Sequence, residues 1–287
     1  MNEKTILYQL TETSPFMMSF VVVTKQNNVI VVDGGRPEDM PLLKEHIGGR
    51  HISAWILTHA HTDHISGFVD EMKKNNCADF DIEKVYYNFP PYDIIENRNV
   101  PDYAYYCREL NETLPSFLEI EPLLGARAHK VVQGESITVD ECGIDFLFSY
   151  HEGLNANLMN DSSLVFKLIT PNKTVLFLGD LGPDGGDILF RESRHMLKSD
   201  IVQMAHHGHM NVSMEVYAEI APRVCLWCAP VWLYEEEEVP EYLSDAERLI
   251  RMGRVRMYGT AVTRKWMDIL GVKKHYVSGM GTNRIEL

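Results

Sequence analysis

The chain has 287 residues, of which 45% are hydrophobic and 24% are charged, as is usual for soluble globular proteins. Its 41 Asp and Glu outnumber its 27 Lys and Arg, and the resulting formal charge of −14 disfavours extended binding to long nucleic acids. No window reaches the length of a membrane span, the N-terminus has no small-residue cleavage site, and the five cysteines are odd in number. We therefore expect one cytoplasmic domain over residues 1–287, with no membrane association. The sequence makes no prediction of oligomeric state.

The first half of the chain alternates short apolar runs with helical patterns. Strands are predicted over residues 6–10, 17–24 and 29–32, and the third ends in the glycine turn Asp33-Gly34-Gly35. Helices are predicted over 38–47 and 65–74, with a buried strand at 54–57 between them. Residues 85–127 are rich in Tyr and Phe and then become helical. We interpret them as an inserted helical and aromatic segment, either a packing layer or a lid over a cleft.

The second half returns to strands, which are predicted over residues 136–139, 144–150, 163–169 and 174–178. After Gly179-Asp180, a helix over 187–197 leads to a strand over 201–204 that runs into His206-His207-Gly208. The remaining predicted elements are helices at 212–220 and 241–252 and strands at 223–228, 255–258 and 275–277. Both halves therefore mix strands and helices, which indicates an α/β fold with two sheets flanked by helices.

Four metal-ligand side chains lie within six residues, in the segment Leu-Thr-His-Ala-His-Thr-Asp-His-Ile-Ser-Gly at 57–67. His59 and His61, two residues apart at the end of a strand, can point to the same side and hold one ion. The adjacent Asp63 and His64 can turn towards a second ion. A purely structural cluster is disfavoured, because these groups would repel one another when protonated and would be costly to bury. Imidazole and carboxylate suit zinc, with manganese or iron as alternatives.

Two later segments supply partners for this cluster. Asp180 follows an apolar strand through a single glycine and is predicted to bridge the two ions. His206 and His207 also follow an apolar strand, and one of them is predicted to complete the second site, although the sequence does not say which. The ions would thus be shared among segments far apart in the chain.

The remaining ligand of the first site is predicted to be His151, which follows the strand at 144–150. Asn157, Asn160 or a water molecule are the alternatives. Asp33 is predicted to orient a ligand histidine, because a metal-bound imidazole usually donates its other N–H to a carboxylate or carbonyl. A plain turn residue is the alternative for Asp33.

The motifs at 59–64, 180 and 206–207 resemble those of the metallo-β-lactamase superfamily. More narrowly, Asn160-Asp161-Ser162-Ser163-Leu164-Val165, Phe177-Leu178-Gly179-Asp180-Leu181 and His206-His207-Gly208 resemble the hydrolase domain of bacterial competence DNA-uptake channel proteins. The resemblance implies a four-layer αββα sandwich with two metals in a cleft at the edge of the sheets. The sequence departs from this branch at His61, where aspartate is common, and at His209, where serine is common. It also lacks the branch's membrane-spanning segments, so a role in DNA uptake does not carry over.

Two divalent ions at such a site would lower the pKa of bound water towards ~7, which makes a bridging hydroxide available to attack phosphorus or a carbonyl carbon. The ions outweigh the carboxylates in charge and therefore favour a small anionic substrate. We predict a metal-dependent phosphoester or phosphodiester hydrolase with Asp63, His64 and Asp180 as catalytic residues. Hydrolysis of a carbonyl ester, thioester or lactone is the alternative on the same site. A non-catalytic metal-binding or sensor module is the alternative from another class.

Overall fold

The computed structural model of the protein describes residues 3–96, 113–154, 157–236 and 259–287, with the backbone alone at 95 and 96. The helix predicted at 241–252, the strand predicted at 255–258, and Tyr103, Tyr105 and Tyr106 lie outside these residues. In the part that the structure describes, no helix is both long and apolar enough to cross a bilayer.

The described strands form two sheets of seven. In chain order they are β1 (Ile6–Gln9), β2 (Ser19–Val23), β3 (Val29–Asp33), β4 (Ile52–Ile56), β5 (Val85–Tyr87), β6 (Ala128–Lys130), β7 (Ser136–Val139), β8 (Cys142–Phe148), β9 (Val165–Ile169), β10 (Thr174–Phe177), β11 (Ile201–Gln203), β12 (Val224–Trp227), β13 (Lys274–Val277) and β14 (Asn283–Glu286). The first sheet has the order β14-β1-β2-β3-β4-β5-β6, and the second has the order β13-β12-β11-β10-β9-β8-β7. Strands β3 to β6 are parallel, as are β10 to β13, and the other neighbours pair antiparallel.

The structure describes nine helices. They are α1 (Met40–Ile47), α2 (Thr62–Asn75), α3 (Tyr92–Glu96), α4 (Thr113–Leu124), α5 (Leu158–Asp161), α6 (Pro183–Ser193), α7 (Met214–Ile220), α8 (Val231–Tyr234) and α9 (Thr260–Ile269). Short 3-10 segments lie at Pro37–Asp39, Gly125–Arg127, Arg194–Met196, Ala205–Gly208 and Ser278–Met280.

The apolar core has three layers, as a four-layer sandwich requires. Phe20, Ile56 and Phe166 belong to the layer between the two sheets. Helices α1, α2 and α4 pack on the first sheet, and α6, α7 and α9 pack on the second. Because both faces of the central strands are buried, those strands are continuous apolar runs in the sequence. The predicted αββα architecture is confirmed.

Part of the inserted segment, residues 85–127, belongs to the first sheet. Strand β5 lies within it and pairs parallel with β4, with Trp55 opposite Val85. A strand of three residues is too short to show the alternation that identifies a half-buried strand, which is why the sequence did not reveal it. The rings of Tyr87, Phe89 and Phe117 pack against one another at centroid distances of 4.9–5.6 Å. In its described part, the segment is therefore a packing layer.

Candidate metal centre

The cluster at residues 59–64 lies in the loop between β4 and α2 and in the first turn of α2. Strand β4 ends at Ile56, His59 lies in the connecting loop, and His61 is the residue that precedes the first turn of α2. Asp63 and His64 are in that first turn. The four side chains are all buried or nearly so, with His59 and His64 fully buried. The strand end and the helix start thus present two ligand pairs to one point at the sheet edge.

The candidate ligands form two groups, and each group joins side chains from both sheets. The ligand atoms of His59, His61 and Asp180 lie within 4.8 Å of one another, and so do those of Asp63, His64 and His207. Within the first group, His59 Nε2 lies 3.1 Å from His61 Nδ1. Within the second group, His207 Nε2 lies 3.3 Å from Asp63 Oδ2. The two groups have the donor types that hold a divalent transition-metal ion.

Asp180 faces both groups at once. Its Oδ2 lies 3.7 Å from His59 Nε2 and 3.2 Å from His207 Nε2, and its Oδ1 lies 3.3 Å from His64 Nε2. Asp180 Oδ1 and His64 Nε2 are buried and face each other as an ion pair, but neither makes a well-aligned hydrogen bond in the described part of the chain. A shared cation would satisfy both atoms. The residues present therefore fit two metal ions with Asp180 between them.

Buried partners orient the second nitrogen of two histidines. Asp33 Oδ2 lies 2.7 Å from His64 Nδ1, and Asp33 Oδ1 accepts the Thr58 backbone N–H at 2.7 Å. His207 Nδ1 donates to the carbonyl of Cys228 at 2.8 Å. Each contact leaves Nε2 of its histidine facing the candidate centre, as is usual for metal-binding imidazoles.

The electrostatics suit a cation. Burial lowers the pKa of His59 well below its ordinary value and that of His61 to about 4, so both imidazoles are neutral and able to coordinate. Burial also disfavours the charged forms of His64 and His207, but Asp180 and neighbouring carboxylates outweigh it. They raise the pKa of His64 well above its usual range and that of His207 to about 9. Protons on His64 and His207 offset the negative charge of the neighbouring carboxylates. A bound metal ion would offset that charge in their place.

The loop that carries Asp180 is held by Ser163, which belongs to one of the motifs quoted above, and by Gln203, which the sequence did not single out. Ser163 Oγ accepts the Asp180 backbone N–H at 3.0 Å. Gln203 Oε1 accepts the backbone N–H groups of Leu178 and Gly179, both at 2.8 Å. Gln203 is fully buried, and a glutamine at the end of an otherwise apolar strand is the sequence signal that could have identified it.

The His206-His207-Gly208 turn has three successive residues with left-handed backbone, at φ 48°, 57° and 90°. Such backbone costs on the order of 1–3 kcal/mol at a non-glycine residue and concentrates at functional sites. A Cβ on Gly208 would lie 2.3 Å from the Trp227 ring, so this position is restricted to glycine. The turn places His207 in the second group and leaves His206 Nε2 farther away, 3.8 Å from Asp180 Oδ2.

His151 is not brought into either group. Its Nδ1 accepts the backbone N–H of Gly153 at 3.0 Å, in the turn that follows β8. That local contact occupies one ring nitrogen, and the ligand role of His151 stays a prediction. Asn160, one of its alternatives, is buried, and its Oδ1 accepts no hydrogen bond in the described part of the chain.

Phe16 and His209 are aromatic neighbours of the centre, and the sequence indicated only His209, as a departure from the branch motif. The ring of Phe16, from the loop before β2, lies 5.3 Å from the ring of His207. His209 follows the turn, and its ring centroid is 4.3 Å from that of His206.

Two surface clefts, one lined by Lys173, Arg223 and Lys274 among others, contain none of the candidate ligands.

Comparison with known proteins agrees with the fold and the ligand motifs. The sequence profile described as the metallo-beta-lactamase superfamily matches residues 15–223. The structure is similar to the metallo-beta-lactamase fold protein YhfI from Bacillus subtilis, with a TM-score of 0.55 and 11% identity over 99% of this chain and 100% of that one. It is also similar to CmlA, a diiron beta-hydroxylase from Streptomyces venezuelae, with a TM-score of 0.55 and 12% identity.

The match to CmlA covers 100% of this chain but only 55% of that one. At identities of 11% and 12%, the two similarities show the fold alone. No curated protein matches the chain at a significant level. The profile match covers well over half of the chain, and the two ligand groups are of the kind that this superfamily, which consists typically of metal-dependent hydrolases, uses for its metals. The chain belongs to the metallo-beta-lactamase superfamily.

Proposed function

We propose that the protein is a hydrolase that uses two zinc ions to cleave a phosphoester, with a small phosphodiester as the preferred substrate. The observation that carries the proposal is the position of Asp180, whose two oxygens face His59 of one group and His64 and His207 of the other. A carboxylate placed between two ligand groups suits a pair of ions that share it. A pair of ions, rather than one, can hold both the attacking and the leaving oxygen of a phosphoryl transfer.

Each residue has a definite part in this chemistry. His59 and His61 would hold one ion with Asp180, and Asp63, His64 and His207 would hold the other. Ions bound there would supply Lewis acidity and a water of lowered pKa. Asp33 keeps His64 oriented, and the Cys228 carbonyl does the same for His207. These contacts keep the ligand geometry in place without rearrangement when a substrate binds.

The charge of the site supports an anionic substrate. Two divalent cations would carry more charge than the two carboxylates Asp63 and Asp180, which would leave the centre positive in a chain whose overall charge is −14. A phosphodiester would be drawn to this centre, whereas the acidic remainder would repel long polyanions. Hydrolysis of a carbonyl ester, thioester or lactone is the alternative outcome on the same residues. A metal-binding sensor that turns over no substrate is the alternative from another functional class.

Zinc is proposed because the donors are mostly imidazole, with two carboxylates. The similar CmlA is described as a diiron protein, so iron is the main competitor, with manganese as the other. We also propose a cytoplasmic location, because the cysteines that the structure describes, Cys77, Cys142, Cys225 and Cys228, are buried free thiols. Within the superfamily, the branch resemblance to competence-channel hydrolase domains remains part of this proposal.

The test combines metal analysis with turnover. Purified protein is analysed by mass spectrometry for zinc, iron and manganese. It is then assayed with bis-p-nitrophenyl phosphate, a thioester and a lactone, before and after each metal is added. We expect about two ions per chain, one for each ligand group, and turnover of the phosphodiester. His61→Ala should lose metal and activity together, whereas the exposed His195→Ala should keep both.

The possible results separate the candidates. Absence of bound metal together with absence of turnover after metal addition would refute the hydrolase. Turnover of the thioester or lactone alone would replace the phosphoester by the alternative substrate class. Tight metal binding without turnover of any of the three would favour the sensor.

A further inference from the structure

A surface cleft opens between the two sheets, at the end of the sandwich opposite the candidate metal centre. It is lined by Ile201, Val224 and Lys274, the first residues of β11, β12 and β13, and by residues of β14. We call it the strand-start cleft. Strands β10 to β13 are parallel, and the centre lies beyond the carboxyl ends of β10 and β11. The cleft and the centre are therefore at opposite ends of the same strands.

The size of the cleft suits a small molecule. Its volume is about 500 Å³, and sites for small molecules occupy roughly 300–1,000 Å³. The buried Ile201 and Ile285 belong to its lining, and charged side chains surround them.

The strand-start cleft concentrates positive charge in an acidic chain. Four of its lining side chains are cationic, namely Lys173, Arg223, Lys274 and Arg284. Only two are acidic, so the lining has a net charge of +2, whereas the whole chain has −14. Positive charge gathered in a cleft raises the local concentration of small anions.

Three of these cations have no carboxylate partner in the part of the chain that the structure describes. The Arg223 guanidinium makes no hydrogen bond or ion pair there. The Lys173 ammonium donates to the backbone carbonyl of Glu286, which does not neutralise its charge. The Lys274 ammonium lies 4.7 Å from the centroid of the Tyr276 ring. All three cations therefore retain N–H donors for an anion.

The two acids of the cleft are already engaged. Glu286 pairs with Arg284 at 3.2 Å and also with Lys4, which lies outside the lining. Asp200 Oδ2 accepts the backbone N–H of Thr174 at 3.0 Å and its hydroxyl at 3.1 Å. These carboxylates therefore oppose an anion less than two free carboxylates would.

We propose that the strand-start cleft binds a small molecule that carries a chain of two or three phosphates. Lys173 precedes β10, Arg223 precedes β12 and Lys274 begins β13. Three strand intervals separate β10 from β13, so the outer two cations start roughly 14 Å apart. A phosphate chain can contact cations spaced in this way, whereas a single phosphate is too small to reach all three. The site is independent of the proposed hydrolase, because no candidate metal ligand lines it.

The test is titration calorimetry with tripolyphosphate, ATP, orthophosphate and adenosine, in buffer free of added metal. We expect one molecule of tripolyphosphate or ATP to bind per chain, orthophosphate to bind at least about tenfold more weakly, and adenosine not to bind. Added sodium chloride should weaken the binding, because salt screens exposed charges. Tighter binding of ATP than of tripolyphosphate would identify the ligand as a nucleotide, and equal binding would identify the phosphate chain alone.

Variants assign the binding to the cleft. Arg223→Ala and Lys274→Ala should each weaken tripolyphosphate binding about tenfold or more, as expected for loss of a charge-assisted contact. Lys130→Ala is the matched control, because it removes an exposed cation at the far edge of the first sheet and should change nothing. All three side chains are exposed, so the variants should fold, and circular dichroism checks this.

Phosphates also bind metal ions, so the titration is repeated with His61→Ala, in which the first ligand group is incomplete. This variant should bind tripolyphosphate like the parent protein. Binding that is lost in His61→Ala and kept in Arg223→Ala would place the phosphates at the metal centre and overturn the proposal.

Three further results would also overturn it. These are no binding of either tripolyphosphate or ATP, equal binding of adenosine and ATP, or unchanged affinity in both Arg223→Ala and Lys274→Ala. Failure of the proposed hydrolase is a separate result, because it would appear in the turnover assays and leave these titrations unchanged.

Discussion

Asp33 and His64 form a fully buried pair, with the Asp33 Oδ2 atom 2.7 Å from the His64 Nδ1 atom. Asp33 ends β3 and His64 lies in the first turn of α2, which follows β4, so the contact links the carboxyl ends of two neighbouring parallel strands of the first sheet. Asp33 also accepts both the backbone N–H and the hydroxyl of Thr58, each at 2.7 Å. One carboxylate thus fixes both the loop that leads to the candidate ligands and the orientation of one of them, His64.

Replacing Asp33 should weaken metal binding without removing a ligand. Asp33→Ala frees the His64 ring to rotate, and loss of such a partner lowers metal affinity about 10- to 100-fold. Competition with a chromogenic chelator measures the change. Asp81→Ala is the matched control, because it breaks a surface Asp–His pair with His51 at 2.9 Å. If both variants bind metal like the parent protein, Asp33 does not orient a ligand.

Asp180 should be needed for both ions. Asp180→Ala removes the one carboxylate that faces both groups, so we expect loss of most bound metal and of activity together. Metal content of the dialysed protein, measured by mass spectrometry, reports the loss. The exposed Asp187→Ala in α6 is the control and should retain the metal. An Asp180→Ala variant that keeps two ions would show that Asp180 is not shared.

His151 offers a sharp test of the first site. Because its Nδ1 accepts a local backbone N–H and it lies in neither ligand group, we expect His151→Ala to keep its metal. His61→Ala, treated in parallel, should lose it. Equal metal loss in the two variants would make His151 the remaining ligand, as its place after a strand suggested.

Gly208 should tolerate no side chain. Gly208→Ala sets a Cβ 2.3 Å from the Trp227 ring at a φ of 90°, so we expect a loss of more than about 2 kcal/mol in unfolding free energy and weaker metal binding. Gly125→Ala is the matched control, since Gly125 also has positive φ but has open space around it. That variant should lose only about 1 kcal/mol. Urea unfolding compares them, and similar losses would show that the Trp227 contact is not the cause.

Asp161 should give stability a distinctive pH dependence. Burial raises the pKa of its carboxyl to about 6, although the Gly185 N–H at the start of α6 donates to it at 2.9 Å. The folded state therefore holds this proton more tightly than the unfolded chain does. Its contribution to stability is complete below the ordinary pKa near 3.8 and is lost as pH rises through about 6.

Asp161→Asn keeps the acceptor and removes the charge. Relative to the parent protein, it should gain up to about 3 kcal/mol in unfolding free energy between pH 4 and pH 8. Chemical denaturation of both proteins across that range measures the difference. A difference that is constant with pH would show that the carboxyl titrates normally.

The candidate metal ligands of the segment 59–64 and the fold class could be predicted from the sequence because both depend on local patterns of residues. His59, His61, Asp63 and His64 lie within six residues, so even a fully extended chain keeps them within roughly 20 Å of one another. Central strands buried on both faces must be apolar throughout, so β2, β3 and β10 were evident as runs. Strands β5 and β6 were not evident, because three residues are too few to show a period and only pairing with neighbouring strands makes them part of the sheet.

What the tertiary structure alone decided is how distant segments meet. It placed His207 rather than His206 in the second group, because the left-handed turn before Gly208 points the two rings differently. It set Asp180 between the groups and brought Phe16 and Trp232 together, although more than two hundred residues separate them in the chain. Such contacts depend on how two sheets pack, which no local pattern encodes. The sequence by itself therefore determined the chemistry of the centre, and the packing of the two halves determined its geometry and its neighbours.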